Sequence, residues 1–258
     1  MIFEGLYNLD IALLYPAIII LIAGAAELGS WIGLRHHGDQ TKGADIGTLT
    51  GAALGLLALM VAFSFSIAVS RYDVRRDMVL EEANAIGSTA NFALMLPDPS
   101  QRPILSLLRD YAAVRVELGV PFDHAKMERD IVRSLDLQTR LWQQAVALTV
   151  VEPQSLPTYR LVASLNEMNN IHERRLTSLR NHVPAAVMVT LIGVAMVATG
   201  FTGYNAGVTG AHQRIANSIM SVMVAVLIML VVDLDRPSRG LIQVPIQALV
   251  DAAQGIRP

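Results

Sequence analysis

Four apolar runs dominate the pattern of the chain, and a region rich in charged residues separates the second run from the third. The runs cover residues 11–34, 46–70, 184–204 and 215–232. About 20 apolar residues are enough for a helix to cross a bilayer, so each run predicts a transmembrane helix. The order of the runs predicts an all-α membrane protein with an N-terminal transmembrane hairpin (1–70), a C-terminal hairpin (184–240) and a short amphipathic tail (241–258).

The charged region between the hairpins, residues 71–183, has the apolar spacing of α-helices. Apolar side chains recur at intervals of three and four residues from Ile104 to Leu118 and again from Ile131 to Val146. Prolines and glycines interrupt this spacing three times. We therefore predict a helical bundle without a β-sheet. Its four helices are expected at 71–96, 100–118, 123–150 and 158–183.

The second apolar run continues into the charged region without a helix breaker. No proline or glycine lies between Val61 and Ile86, so we predict one continuous helix that leaves the membrane. Basic residues near the span ends mark the cytoplasmic side, and this count favours the bundle side by eight to three. Both termini and the bundle are therefore predicted to be cytoplasmic, which disfavours a sensor with an extracytoplasmic ligand domain. The two groups are Arg71, Arg75, Arg76, Arg174, Arg175, Arg180, Arg236 and Arg239 against Arg35, Lys42 and Arg214.

Small residues recur every four positions in the first two spans. Ala25, Gly29 and Gly33 form such a series in the first span, and Gly51 and Gly55 begin another in the second. Small side chains let two membrane helices approach closely, so both series predict helix-packing faces. Short polar loops are expected at 35–45 and 205–214.

Composition narrows the classes of function. The chain of 258 residues is 53% hydrophobic and only 16% charged, whereas soluble domains average about 25% charged. The absence of cysteine excludes disulfides and thiolate chemistry. A net charge of −2 and few aromatic residues give no reason to expect nucleic acid. Common nucleotide, metalloprotease and hydrolase motifs are missing, so we predict a non-enzymatic protein of the lipid bilayer with no cofactor and no resident metal.

Acidic residues in and just beyond the spans are candidate functional groups. Glu27 lies inside the first span, where an ionisable group often faces a water-filled path; the alternative is that it faces interfacial water near the span end. Glu81, Glu82 and Asn84 lie two to three turns beyond the second span. If copies of this helix surround an axis, one of these residues would face it, and a ring of carboxylates favours cations. The more common alternative is a solvated or salt-bridged helix face.

A second charged group closes the last span. Asp233 and Asp235 could hold a hard cation, but acids at a membrane boundary are normally paired. We favour an ion-pair cluster at the membrane exit, in which these acids pair with Arg71 or Arg75. The whole cluster would comprise Arg71, Arg75, Arg76, Asp233, Asp235 and Arg236.

Histidines offer a weaker candidate for metal binding. His36, His37 and Asp39 are close enough in sequence to bind a transition metal, although adjacent histidines in a loop rarely do so alone. His172 and His182 are expected to be ordinary residues of helix surfaces.

Three motifs carry a resemblance to a known family. The run from Phe63 to Arg76 resembles the segment in which bestrophins leave their second span. A closer similarity is to bacterial membrane proteins with a bestrophin-like domain, which share the R-Y-D-x-R motif that begins at Arg71. They also share the E-E-A-N-A-I-G run from Glu81 to Gly87 and a D-x-D-x-P-x-x-G motif from Asp233 to Gly240. The resemblance covers nearly the whole chain.

This resemblance implies a function. Bestrophins are pentameric ion channels, anion-selective in animals and cation-conducting in some bacterial relatives, and apolar side chains of their second spans narrow the pore. Carried over to this chain, the resemblance places Leu59, Phe63 and Ser66 at a constriction. Apolar rings of this kind gate by dewetting.

We therefore expect a homo-oligomeric channel of the bacterial inner membrane, a homopentamer by resemblance. It is expected to pass small inorganic ions with a weak preference for cations. The alternative is a non-conducting membrane scaffold or signalling protein whose cytoplasmic bundle binds a partner.

Overall fold

The computed structural model describes residues 11–36, 40–118, 124–209, 214–236 and 240–256, and within them it is helical and without strands. This confirms the predicted all-α class. The helices of the described chain are α1 (Ile11–Leu34), α2 (Gln40–Ala93), α3 (Gln101–Glu117), α4 (His124–Val151), α5 (Leu156–Arg180), α6 (Ala185–Thr209), α7 (Arg214–Asp235) and α8 (Gln247–Gly255).

The four predicted spans are confirmed as helices that are long and apolar enough to cross a membrane. They are α1, the first half of α2, α6 and α7. The second half of α2 and all of α5 carry charged residues throughout, so we place these parts outside the apolar spans. The chain divides into two compact units. The membrane unit combines the chain up to Arg71 with His182–Arg236, and the bundle unit combines Tyr72–Asn181 with the C-terminal tail.

Glycine contacts hold α1 and α6 together in the membrane unit. A Cβ atom added at Gly29 would collide with the backbone of Gly200, and one added at Gly33 would collide with that of Tyr204. The predicted packing face of the first span is therefore confirmed. Residue numbers rise together along the two helices at these contacts, so α1 and α6 run parallel. Parallel helices enter the membrane from the same side, which agrees with the single crossing, by α2, that lies between them in the chain.

The second helix is continuous over 54 residues, from Gln40 to Ala93. At 1.5 Å per residue its length is about 80 Å, whereas the hydrocarbon core of a bilayer is about 30 Å thick. The predicted continuity beyond the span is confirmed. Among the side chains of α2 that are described in the membrane unit, those from residue 46 onwards, only a narrow stripe is buried, formed by Thr50, Leu57, Ser64 and Ala68.

The bundle unit has its own apolar core. Tyr111 and Leu108 of α3, Leu141 of α4 and Leu165 of α5 are buried there, together with Ile86 of α2. The apolar stripe predicted for α3 faces this core. In α4 only Leu141 of the predicted set is buried in it, whereas Leu135, Trp142 and Val146 are exposed. In the C-terminal tail, helix α8 packs on α3 and buries Leu249 in the same core.

Two predicted loop boundaries are wrong. The helix α2 begins at Gln40, so the second half of the loop expected at 35–45 is helical; the chain has no proline there to stop it. Helix α6 continues to Thr209, beyond the end predicted at residue 204. The reason is tertiary, because a Cβ atom at Gly207 would collide with the backbone of Ser30. The last turn of α6 is therefore part of the helix contact with α1.

Candidate functional site

One face of α2 carries the residues expected at the constriction. Leu59 is 53% exposed and Phe63 is 61% exposed, and Ser66 is exposed as well. These three positions follow each other at intervals of four and three residues, so they lie on one side of the helix. Within the described part of the protomer, this side of α2 is largely uncovered. The role of these residues at a constriction stays a prediction.

The same face continues beyond the span as a row of polar and acidic side chains. Ser70, Asp73, Asp77, Glu81 and Asn84 follow Ser66 at intervals of three or four residues, and each is exposed or half-exposed. Three carboxylates therefore stand on successive turns of one helix face. The sequence interpretation had missed Asp73 and Asp77, although helical spacing from Phe63 would have found them.

The arginines of this segment lie on other faces of α2. By helical spacing Arg71 and Arg75 are on the far side of the helix from Asp77, while Arg76 lies beyond the edge of the acidic row. Arg75 is buried in the bundle unit and donates hydrogen bonds to the carbonyl oxygens of Ser178 (3.3 Å) and Asn181 (2.8 Å). Arg75 of α2 thus binds backbone carbonyl oxygens at the C-terminal end of α5, which a helix terminus leaves without partners.

Glu81 is a surface residue of the bundle unit. Its carboxylate lies 3.2 Å from the guanidinium of Arg174, which also contacts Glu167 at 3.3 Å. Glu81 and Asn84 line an open groove of about 440 Å³ between α2 and α5, with Arg160 on its other wall. Exposed ion pairs of this kind contribute little to stability, so Glu81 stays available for a role at the surface.

The prediction for Glu82 is wrong. Its side chain is 0% exposed and accepts hydrogen bonds from Arg115 Nε at 2.6 Å and from Arg175 Nη1, both from neighbouring helices of the bundle. Burial alone would raise the pKa of Glu82, but the two guanidinium groups outweigh it and hold the pKa below its usual value. This carboxylate is a structural centre of the bundle and cannot belong to an exposed charged ring.

Polar residues that the sequence interpretation missed complete this buried charge cluster. The Tyr111 hydroxyl lies 3.4 Å from Glu82 Oε1 and 3.1 Å from His172 Nδ1, and it accepts a hydrogen bond from Gln138. Burial raises the pKa of Tyr111. The expectation that His172 is a surface residue is wrong, because it is fully buried. Burial and the nearby Arg115 lower the pKa of His172 to about 4, so its imidazole is neutral at pH 7.

The acids that close the last span have partners in the membrane unit. The Tyr15 hydroxyl donates a hydrogen bond to Asp233. The carboxylate of Asp235 accepts hydrogen bonds from the backbone amide of Val183 at 2.9 and 3.0 Å and lies 3.7 Å from His182. Asp235 thus caps the chain just before α6, where a negative charge is favourable. Pairing of these acids with Arg71 or Arg75 stays a prediction. Arg236 is buried, and its membership of the cluster stays a prediction as well.

The remaining predicted sites can be placed only in part. Glu27 is exposed on α1, and its role in a vestibule stays a prediction. His36 is exposed and lies at a tilt beside the ring of Tyr204, while His37 and Asp39 lie outside the described residues. Among the residues that are described, no group of three or more acidic, histidine or cysteine side chains is arranged to hold a metal ion.

Comparisons with known proteins extend the geometric picture. The family model for the bestrophin-like domain matches residues 20–249. A comparison with curated protein sequences found no match. A crystal structure of a bacterial bestrophin homolog from Klebsiella pneumoniae that carries a point mutation has a TM-score of 0.66 and 15% identity, covering 90% of this chain and 99% of that one.

Two further solved structures are similar to the same extent. The Klebsiella homolog solved by zinc phasing has a TM-score of 0.65 and 15% identity, with 92% and 100% of the two chains covered. A membrane protein in which alanine replaces a proline has a TM-score of 0.65 and 17% identity, with 92% and 96% covered. At these identities the likeness concerns the fold.

Proposed function

The chain belongs to the bestrophin-like family, and from this premise we propose that it is a homo-oligomeric ion channel of a bacterial inner membrane, with α2 lining the pore. The observation that carries the proposal is the exposed face of α2. Leu59 and Phe63 lie in its apolar part, and a polar and acidic row follows on the same side of the helix. Ion channels use apolar constrictions that gate by dewetting and rings of charged side chains that select ions, and this helix face offers residues for both.

Several copies of the chain are needed to form this pathway. In the most apolar stretch of α2 only 17% is buried, whereas the buried share is 28–39% in the corresponding stretches of the other three candidate spans. Gly51 and Gly55 have no atom within 4 Å of an added Cβ, so their packing face is unused within the described part of the protomer. Neighbouring copies that pack on this face would bring the α2 helices together around one axis. By resemblance to bestrophins, the oligomer is a homopentamer.

The charge of the pathway favours cations. Asp73 and Asp77 stand on successive turns of the exposed α2 face, and Arg71 and Arg75 lie on other sides of the helix. Glu81 follows on the next turn, where Arg174 offsets part of its charge. In a symmetric oligomer each acidic position would form a ring of carboxylates below the constriction. Such rings attract cations and repel anions. Inorganic ions are then the only ligands that the function requires.

The topology follows from the distribution of arginine and lysine near the span ends. On this basis the bundle unit and both chain termini are cytoplasmic. Ions that pass the Leu59 and Phe63 constriction would then meet the acidic row on the cytoplasmic side.

Planar bilayer recording of the purified protein tests this function, with a matched pair of variants. Phe63→Ala should increase the conductance because it widens an apolar constriction. Phe65→Ala removes the same side chain two residues away, on the opposite side of α2, where Phe65 faces an apolar groove against α7. Its conductance should stay near that of the unchanged protein. Absence of current from the purified oligomer, or equal effects of the two variants, would contradict the proposal.

Selectivity gives a second readout in the same preparation. Asp77→Asn should shift the reversal potential in a potassium chloride gradient towards that of chloride, since it removes one ring of negative charge. Asp110→Asn, which changes an exposed acid of α3, is the control and should leave the reversal potential unchanged.

A non-conducting scaffold is the second candidate function. The bundle unit exposes an apolar stripe on α4, with Val132 at 67% and Trp142 at 39% exposure, and exposed apolar surface in water marks an interaction site. A purified oligomer that never conducts would favour this second function.

A further inference from the structure

Helix α4 has an exposed apolar stripe in addition to its buried core face. Val132, Leu135, Thr139, Trp142 and Val146 follow each other at alternating intervals of three and four residues, and all five are exposed. Further large apolar side chains are exposed at the end of α4 and the start of α5, which we call the continuation of the stripe. They are Val150, Val151, Leu156 and Tyr159.

The core of the bundle does not account for this α4 stripe. Leu137, Leu141 and Ala145 form the opposite side of α4 and are buried against the other helices. The helix therefore already has a complete core face. The α4 stripe is a second apolar face, which the described residues of the protomer leave uncovered.

Lipid does not account for it either. The edge of α4 beside the stripe exposes Arg133, Asp136 and Arg140, and charged side chains in a hydrocarbon environment are costly. The helix therefore lies in water, where an exposed apolar surface marks a protein interface.

We propose that the α4 stripe is covered by a neighbouring copy of this chain in the oligomer. The alternating spacing of three and four residues is the pattern by which one helix packs against another. The side chains of the stripe and its continuation expose on the order of 800 Å², about what one partner contributes to a stable interface.

The charges beside the stripe do not oppose a second copy. Asp136 and Arg140 lie 3.9 Å apart, so these two charges on the edge of α4 offset each other within the protomer. The bundle region as a whole has equal numbers of acidic and basic residues. A copy with the same balanced charge is not repelled by this surface, whereas a strongly acidic or strongly basic partner would gain no attraction from it. This inference rests on the self-association in the proposed function, and does not depend on whether the oligomer conducts.

Photo-crosslinking of the purified protein tests the α4 stripe. Benzoylphenylalanine placed at Trp142 is an aromatic replacement within the stripe, and the same group at Arg140 is the control on the charged edge. Irradiation of the oligomer in detergent should give covalent dimers and higher species from position 142 and about tenfold less from position 140. Mass spectrometry of the products should place the second attachment in another copy of the chain.

Three outcomes would overturn the inference. The first is absence of crosslinked dimer from position 142 in a preparation that light scattering shows to be oligomeric; the proposed function would survive this result. The second is crosslinking in intact cells to a different protein alone. The third is a purified protein that is monomeric, which would also remove the proposed oligomeric channel. Crosslinked dimers from an oligomer that does not conduct would support the inference and contradict the proposed function.

A charge substitution gives an independent measurement. Val132→Glu together with Val146→Glu should weaken self-association at least about tenfold in a dilution series followed by light scattering, since like charges would be buried at the contact. Arg133→Glu changes a neighbouring exposed residue and should have less than a twofold effect. All substituted side chains are exposed, so circular dichroism should confirm that the fold is retained. Unchanged association of the doubly substituted protein would overturn the inference.

Discussion

Replacing Glu82 by glutamine isolates the contribution of the buried charge cluster. The substitution keeps the shape of the side chain but removes the negative charge between Arg115 and Arg175, which are 0% and 3% exposed. Two guanidinium groups then remain buried without a carboxylate between them. Loss of one partner of a buried ion pair typically costs about 3–5 kcal/mol, because the other charge stays in the interior uncompensated. We expect a destabilisation of this size for Glu82→Gln.

The adjacent glutamate provides a matched control. Glu81 pairs with Arg174 at 3.2 Å, but both side chains are about half exposed, and exposed pairs contribute roughly 0–1 kcal/mol. Glu81→Gln should therefore leave stability nearly unchanged. The two variants differ by one position in the chain and make the same chemical change.

Thermal unfolding of the purified protein in detergent, followed by circular dichroism, measures the difference. With about 2–4 °C per kcal/mol for chains of this size, Glu82→Gln should lower Tm by roughly 10 °C and Glu81→Gln by about 2 °C or less. Adding Arg175→Met to Glu82→Gln should recover part of the lost Tm, because it removes one of the two buried guanidinium charges that have no carboxylate partner. Equal Tm values for the two single variants would refute the assignment of Glu82 as the centre of the bundle.

Further predictions concern pH and helix packing. Burial lowers the pKa of His172 to about 4, below its usual value of about 6.5, so the unfolded chain binds the proton more readily than the folded chain. The stability that depends on neutral His172 is therefore fully present above about pH 6.5 and is lost as the pH falls towards 4. Tm should therefore fall less between pH 7 and pH 4.5 in His172→Gln than in the unchanged protein, and an identical fall would contradict the burial of His172 beside Arg115. Gly29→Leu should prevent close packing of α1 on α6 and abolish the folded membrane unit, whereas Gly24→Leu, where an added Cβ meets no atom within 4 Å, should be tolerated; size-exclusion profiles in detergent distinguish the two.

Local rules of helix formation were sufficient to predict the architecture. Each span is a long apolar run, and the absence of breakers between Val61 and Ile86 predicted that α2 would continue beyond the membrane. The glycine series at Gly29 and Gly33 predicted a close helix contact, and the structure shows that the partner is α6. These features depend on a few neighbouring residues, so the sequence is enough to find them.

The orientation of Glu82 depends on tertiary packing and was harder to predict. Glu81 and Glu82 are adjacent, and helical geometry separates them by about 100°, so one faces the groove and the other faces the core. A signal was nevertheless present, since Glu82 precedes Ile86 by four residues and Ile86 belongs to the apolar core face of α2. Arg115 likewise follows Tyr111 by four residues on the buried side of α3. Charged residues at core positions of an apolar stripe indicate a buried ion pair.

The end of α6 shows why loop boundaries were missed. The run Asn205–Thr209 contains a glycine and polar residues that are typical of a loop. Contact between Gly207 and the backbone of α1 keeps this run helical. That contact cannot be predicted from the sequence of α6 alone.

The central claim is that the face of α2 bearing Phe63 and Ser66 lines an ion pathway, and cysteine modification tests it most directly. The chain has no cysteine of its own, so a single cysteine can be introduced without background. Charged methanethiosulfonate reagents should change the current through Ser66→Cys channels in planar bilayers and should leave Phe65→Cys channels unchanged, since Phe65 is on the other side of the helix. Modification that alters the Phe65→Cys current and spares the Ser66→Cys current would contradict the account.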